Sequence, residues 1–276
     1  NNQNMLQVIF FAILFGIALI MTPKNEAQPV KNFISGTNKT IIKIVEIIMN
    51  YAPIGVFALL AGLIADLAGD NPNEILTTLK PLVIYAITVL VGLSIMVIII
   101  YPIIINLVAK VKFKDFFKAI FPAQMLAFST SSSAATLPVT MKRVEKNLGV
   151  SEEISSFVLP LGATINMDGT SIHQAISAVF IAQAFGQDLT LMDQLTIVIT
   201  ATLSSIGAAA VPGAGLIMLV IVLGAIGIDP QGLALIIAID RPLDMCRTVV
   251  NVTGDATVAS IVASTEGEKL TYKNYE

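Results

Sequence analysis

The 276-residue sequence has no tryptophan, one cysteine, one histidine and only 13% charged residues. A soluble domain carries about a quarter charged residues, so this shortage argues against a surface that is hydrated over most of the chain. The single Cys246 excludes an internal disulfide framework and a cysteine-built metal cluster. A net charge of −3, spread over short loops, provides no basic surface, so no nucleic-acid partner is expected. The first four residues are polar and lack the positive charge, apolar core and small-residue cleavage site of a signal peptide.

What fills the sequence instead is apolar: 55% hydrophobic residues and a mean hydropathy of +0.82. Runs at 6–22, 84–108 and 211–228 approach the roughly 20 residues a helix needs to cross hydrocarbon. The reading is an all-α integral membrane protein. In chain order, a first helix at 6–22 is followed by a loop with Lys24, Lys31, Lys39 and Lys43, and by a second helix from about 41 to 67. An acidic loop around 68–80 leads to a third helix, 82–108, which ends in the basic cluster Lys110, Lys112, Lys114 and Lys118. A second basic cluster follows at Lys142, Arg143 and Lys146. The positive-inside rule puts both clusters on the cytoplasmic side and the 68–80 loop outside.

Only 23 residues separate Lys118 from Lys142, whereas two crossings need about 40. The segment must enter and leave by one face, as a re-entrant helical hairpin over 113–147. Its middle, STSSSAATLP, has the small hydroxyl residues and proline of a turn between half-length helices. Non-helical backbone at membrane depth is tolerated only where protein buries it or it lines a cavity, so the tip at Ser131 to Ser133 is a candidate wall of a binding site. The 152–186 segment is long enough to cross but is interrupted by Asn166, Met167, Asp168, Gly169 and Thr170, which disfavour continuous helix. Broken helices expose carbonyls that hold cations and N-termini that favour anions. His173, just beyond the break, reads as a satisfied core histidine in preference to a proton carrier. A second hairpin over 190–228 has the tip SSIGAAAVPGAG. Hairpin followed by polar helix thus occurs twice, the weak internal symmetry of an inverted repeat, with hairpins entering from opposite sides.

The last helix, 230–264, concentrates the chemistry. At about 100° per residue, Asp240, Asp244, Arg247, Thr248, Asn251 and Asp255 fall within an arc of roughly 100°, and Cys246 points away. Ionisable groups at membrane depth are costly, so their default reading is a substrate or ion pathway.

SSSAATLPVT, NMDGT, VPGAG and DMCRTVVNVTGD, in this order and spacing, resemble the dicarboxylate/amino acid:cation symporter family, which includes the excitatory amino acid (glutamate/aspartate) transporters. The resemblance covers essentially the whole chain, and family members carry additional N-terminal transmembrane helices, so the sequence is expected to start within the family's fourth helix. It implies a scaffold and trimerisation part at 1–80 with two transmembrane helices, and a transport core at 81–276 ending in a cytoplasmic tail. It further implies a multi-pass homotrimer in the cell (inner) membrane that moves acidic amino acids with sodium by an elevator mechanism. No organic cofactor and no enzymatic activity are expected.

Carried over by residue, the family's site implies that Arg247 holds the substrate side-chain carboxylate and Asp244 its amino group. Thr248, Thr170 and Asn251 add hydrogen bonds, while Ser132, Ser133, Val211 and Gly215 close the site from the two tips. One sodium is implied near Gly162, Asn166, Asn251 and Asp255, and a second among the carbonyls of Thr164, Ser205, Ile206 and Ala208. A third would use Asn166 and Asp168, completed by helices outside this sequence. Sodium, a hard cation, favours such oxygen ligands.

The sequence departs from the family in two ways. The second arginine that members often carry would fall at Ser131 or Met245, and neither position has it. The glutamate that the animal transporters use for proton and potassium coupling is Gln174 here, which implies return of the empty carrier without potassium. Other readings are a proton-coupled, C4-dicarboxylate or neutral amino acid symporter of the same fold. From another class, an intramembrane aspartyl protease would need two facing aspartates such as Asp168 and Asp255, but leaves both hairpins and Arg247 unexplained.

Overall fold

The computed structural model describes residues 5–49, 51, 54, 57, 58, 61 and 72–273. Among them all regular structure is helical, with no strand. The chain divides into two units, Asn1–Gly55 and Val56–Glu276.

In the first unit, helix α1 (Met5–Met21) is closed by Thr22, whose N–H and Oγ both donate to the Ala18 carbonyl. Pro23 then begins the next turn, its carbonyl accepting the N–H groups of Glu26 and Ala27. Helix α2 therefore runs over Lys24–Met49, where charge alone suggested a loop with a helix only from 41. Lysine, glutamate, glutamine and alanine are good helix formers, and a polar run can be a solvated helix as readily as a loop. The far end expected for that helix, near 67, lies outside the described residues.

The second unit is built around two long helices. Helix α3 spans Pro72–Ala109, ten residues earlier at its start than the apolar run suggested, with wide π turns at Met96–Ile100 and Ile105–Ala109. Pro102, which has no N–H to give, follows the first of these turns and removes a rung from the ladder there. The stretch Lys80–Ala109 is long and apolar enough to cross a bilayer. Two helical hairpins follow. In the first, α4 (Phe113–Thr130) and α5 (Ser133–Arg143) are joined by Ser131 and Ser132 alone. In the second, α8 (Leu191–Ile206) and α9 (Ala214–Ala225) are joined through 207–213. Between the hairpins lie α6 (Glu152–Ile165) and α7 (Asp168–Ala184), the two halves of one helix interrupted at Asn166 and Met167. The chain ends in α10 (Ala234–Thr265).

Helix α3 serves as a ruler for where the hairpins lie. Its first part, with Tyr85, Val89 and Leu93, shares a core with Ile197 and Leu223 of the second hairpin. Its last residues, Ile105 and Ala109, share another with Phe116, Ile120, Val144 and Leu148 of the first. The hairpins therefore rise from opposite ends of the unit, and both arms of the first return to one end. The tail also lies at that end, where the N–H groups of Thr271 and Lys273 donate to the carbonyls of Leu148 and Asn147.

The interrupted helix is locked onto α10 by a close backbone approach. A Cβ on Gly169 would lie 2.6 Å from the Arg247 carbonyl oxygen, which has no freedom to retreat from the middle of a helix. Gly169→Ala is therefore expected to destabilise the protein by about 1–3 kcal/mol, the usual cost of forced overpacking. Gly224→Ala, in open space on α9, should be neutral or stabilising by up to about 1 kcal/mol. Thermal unfolding of the two purified variants compares them directly; equal melting would remove the packing argument.

Candidate functional site

The six polar residues that the helical arc grouped on α10 are all buried, and Arg247 is among the most deeply buried side chains. A guanidinium cannot shed its charge, so it must be paired where it lies. Asp244, one turn earlier, takes most of it, with Oδ1 accepting Nη2 at 2.6 Å and Nε at 3.2 Å. Nη1 is 2.7 Å from His173 Nδ1 on α7. Arginine only donates, so that histidine nitrogen carries the lone pair and the ring proton sits on Nε2. His173 Nε2 in turn faces the Tyr85 hydroxyl at 3.1 Å and Asp240 Oδ1 at 3.2 Å. Asp240 Oδ1 makes no aligned hydrogen bond, and its attraction to His173 and to Arg247 Nη1, 3.6 Å away, is electrostatic.

The interruption at Asn166 and Met167 frees backbone that Asn251 takes up. Its Oδ1 accepts the Gly169 N–H at 2.8 Å and its Nδ2 donates to Thr170 Oγ at 3.1 Å. One amide thus spans the site, satisfying a helix N-terminus with one end and a threonine with the other. Asp168, at the first position of α7, accepts the Tyr101 hydroxyl at 2.8 Å.

The two hairpin tips meet over this floor. Ser131 takes the left-handed conformation (φ 52°), a strained one for a residue with a Cβ, and turns the chain from α4 into α5. Ser132 then caps α5, accepting the Ala135 N–H, and donates its hydroxyl to the Ala210 carbonyl of the second tip at 2.8 Å. The Ala134 N–H reaches the same carbonyl at 3.3 Å. The second tip is also held from below. The Gly213 N–H donates to Asp244 Oδ2 at 2.9 Å, and Gln174 Nε2 donates to the Gly215 carbonyl at 3.1 Å. Gly215 lies flat against the guanidinium, where a Cβ would come within 2.9 Å of Arg247 Cζ. Beneath the tips remains a cavity of about 20 Å³, room for about one water.

That cavity brings together Arg247, Asp244, Thr248, Asn251, Thr170, Ser133, Val211 and Gly215, eight of the nine residues the resemblance assigns to substrate. Ser132, the ninth, joins tip to tip. Ser131, Met167, Ala209 and Ala210 also line it. Of the expected cation ligands, Asn166 Nδ2 donates to Asp255 Oδ1 at 3.2 Å, and that same oxygen lies 2.7 Å from where a Cβ on Gly162 would be. Asn166 and Gly162 thus meet at Asp255, which lies one helical turn beyond Asn251 on α10. Of the carbonyl set, Ser205 and Ala208 are buried and Thr164 and Ile206 are exposed, and the helices that carry Thr164 and Ser205, α6 and α8, are in contact. A larger groove, about 940 Å³, opens between α3, α7 and α8, but it is mainly apolar and its two charged residues, Lys80 and Asp188, are exposed.

Two residues that sequence reasoning left outside the site belong to it. His173 orients Arg247, and Gln174 ties the second tip to α7. Their positions follow from the interrupted helix: once α7 restarts at Asp168, residues 170, 173, 174 and 177 fall on the face toward α10 and the second hairpin, and all four are buried.

The sequence matches the model of the sodium:dicarboxylate symporter family over residues 1–265. It is 42% identical to an excitatory amino acid transporter of Caenorhabditis elegans over 262 residues, covering 95% of this chain and 51% of that protein. It is 41% identical to excitatory amino acid transporter 1 of Mus musculus over 276 residues, covering all of this chain and 50% of that one. It is 43% identical to excitatory amino acid transporter 3 of Oryctolagus cuniculus over 273 residues, covering 99% and 50%. The chain spans about half the length of the curated relatives it matches.

The bond between the tips can be probed by cysteine labelling once Cys246, the one cysteine of this sequence, is replaced. In a Cys246→Ser background, the labelling rate of Val211→Cys reports exposure of the cavity. Ser132→Ala removes one of the two donors to the Ala210 carbonyl, a net loss of about 0.5–1.5 kcal/mol, and should speed labelling about two- to tenfold. An unchanged rate would mean that the tips are not held by this bond.

Proposed function

The chain belongs to the sodium:dicarboxylate symporter family, and from that premise we propose that it forms the substrate- and cation-binding half of a secondary active transporter that carries acidic amino acids with sodium. The observation that carries the proposal is Arg247 beside Asp244 at the base of a buried polar cavity covered by two hairpin tips. A guanidinium fork suits bidentate capture of a carboxylate, and an adjacent carboxylate suits an ammonium. Aspartate and glutamate present both groups, whereas a C4-dicarboxylate offers nothing to Asp244.

The geometry supports a gated mechanism. A cavity the size of one water does not admit an amino acid, so the tip that covers Arg247 must withdraw for loading. The second tip is the gate: Gly213 (φ 75°) provides its hinge, and it leaves by releasing Asp244 and Gln174. The substrate ammonium then takes the place of the Gly213 N–H at Asp244, and the side-chain carboxylate draws Arg247 away from Asp244. Coupling runs through Asn251, whose position is fixed by Gly169 and Thr170 on the substrate side and which lies one helical turn from Asp255 on the cation side. Asp255 takes a single hydrogen bond among the described residues, and its remaining oxygen lone pairs suit a hard cation. Sodium is cargo here and no organic cofactor takes part.

The bilayer is part of the same proposal. Ile84, Ile87, Val91, Ile95 and Ile98 of α3 and Leu195, Val198 and Ile199 of α8 are exposed, a surface suited to hydrocarbon or to neighbouring helices of a multi-pass protein in the cell membrane. The hairpins then enter that bilayer from opposite faces, the first from the cytoplasmic side that holds the basic ends. In this proposal residues 81–276 are the moving core of an elevator, residues 1–80 belong to its scaffold, and the assembly is a homotrimer. An aspartyl protease reading gains no support, because Asp168 and Asp255 each engage a different partner, Tyr101 and Asn166.

Sodium-driven uptake of labelled aspartate by the protein in proteoliposomes tests the proposal; equal flux with and without the sodium gradient would refute the coupling. Arg247→Ser should lower aspartate affinity about 100-fold or more, on the scale of 2–5 kcal/mol for truncating one partner of a buried charged pair. Serine or alanine should become acceptable, because Asp244 remains. Near-original aspartate affinity would assign Arg247 to an internal ion pair instead. Asp255→Asn retains shape and removes charge, so the sodium concentration for half-maximal uptake should rise about tenfold or more, the usual scale for loss of a charged partner. An unchanged sodium dependence would make Asp255 a packing residue.

A further inference from the structure

We infer that Arg241 is a positioning residue of this site, a second cation that holds Asp244 when the hairpin tip and Arg247 release it; the inference rests on the transport reading above. Asp244 has three hydrogen-bond donors on its two oxygens, Arg247 Nε and Nη2 on Oδ1 and the Gly213 N–H on Oδ2. Each of them leaves in the proposed cycle, Gly213 with the opening tip and Arg247 toward the substrate carboxylate. With the tip open and before the substrate ammonium arrives, Oδ2 has lost its donor, and a buried carboxylate oxygen left unpaired is strongly disfavoured. Something must take its place.

Arg241 is placed for this. Its Nη1 lies 3.7 Å from Asp244 Oδ2, within electrostatic reach but too far for a hydrogen bond. The same nitrogen is buried and has no hydrogen-bond partner among the described residues. Arginine cannot relieve such a position by losing its proton. A shift of about 1 Å would turn the ion pair into a charge-assisted hydrogen bond, once the Gly213 N–H gives up the oxygen. Arg241 and Asp244 are three residues apart on one helix, so their proximity does not depend on where the hairpin is.

The charge count of the site agrees. Asp240 and Asp244 stand with Arg241 and Arg247 on successive turns, and His173, which accepts from Arg247, adds no charge. With Arg241 removed, Asp244 would retain Arg247 as its sole counter-ion and compete with the incoming carboxylate for it. Arg241 leaves Arg247 free to select an acid. It does not line the cavity, so it works through Asp244.

Two readouts on the intact protein test this with Arg241→Gln, with Arg241→Met as a second neutral variant and with Arg241→Lys as the charged control. Both neutral variants should bind aspartate about tenfold more weakly or worse, while lysine should stay within about threefold of the original. In the Cys246→Ser background the neutral variants should also slow labelling of Val211→Cys without substrate, because opening the tip would leave Asp244 with one partner fewer. Original aspartate affinity in a folded neutral variant, a lysine variant as weak as the neutral ones, or an unchanged labelling rate would each overturn the inference. If the unaltered protein takes up no aspartate, the transport reading fails, while the labelling comparison still decides whether Arg241 holds Asp244.

Discussion

A guanidinium buried among helices organises the rest of this unit. Arg247 cannot lose its proton and has little solvent, so the surrounding elements supply acceptors: Asp244 from its own helix, His173 from the interrupted one and Asp240 from two turns below. Each of those groups is in turn fixed. Asp244 holds the second tip through Gly213, and His173 faces Tyr85 of α3. A pair of this kind adds little net stability, because desolvation offsets most of its attraction. What it does fix is arrangement, since any rearrangement that removes one partner leaves an uncompensated buried charge. Such a site is rigid until a ligand of matching charge offers a substitute.

The second constraint is backbone. Three breaks in the helical ladder meet around the cavity: the two tips and the break at Asn166 and Met167. Their free N–H and carbonyl groups are satisfied by one another and by side chains of α10 and α7. The Ala210 carbonyl takes two donors from the first tip, the Gly169 N–H goes to Asn251, the Gly213 N–H to Asp244 and the Gly215 carbonyl to Gln174. None of these is part of a helical ladder, so they can be exchanged for bonds to a ligand without unfolding an element. The same groups therefore close the empty site and are available to bind a substrate.

Neither Ser131 nor Met245 is an arginine. Ser131 is spent on a left-handed turn, buried, with its hydroxyl unpartnered among the described residues, and a second arginine of the last helix, Arg241, stands 3.7 Å from Asp244.

Much of this was legible in the chain. The polar arc of α10, the serine turn of the first hairpin, the glycine and proline turn of the second and the break at Asn166 each have a local cause: helical periodicity, or residues that compete with the helical ladder. Local cues misled where composition is neutral, as at Lys24 to Thr40, whose charges suit a solvated helix and a loop equally well. Tertiary structure alone decided what those polar groups face. No local rule pairs His173 with Arg247 across 74 positions, turns Gln174 toward a hairpin, or leaves one nitrogen of Arg241 3.7 Å short of a bond. Those relations arise where α7 and the two tips pack onto α10, because a buried donor or acceptor takes whichever partner the packing brings within reach.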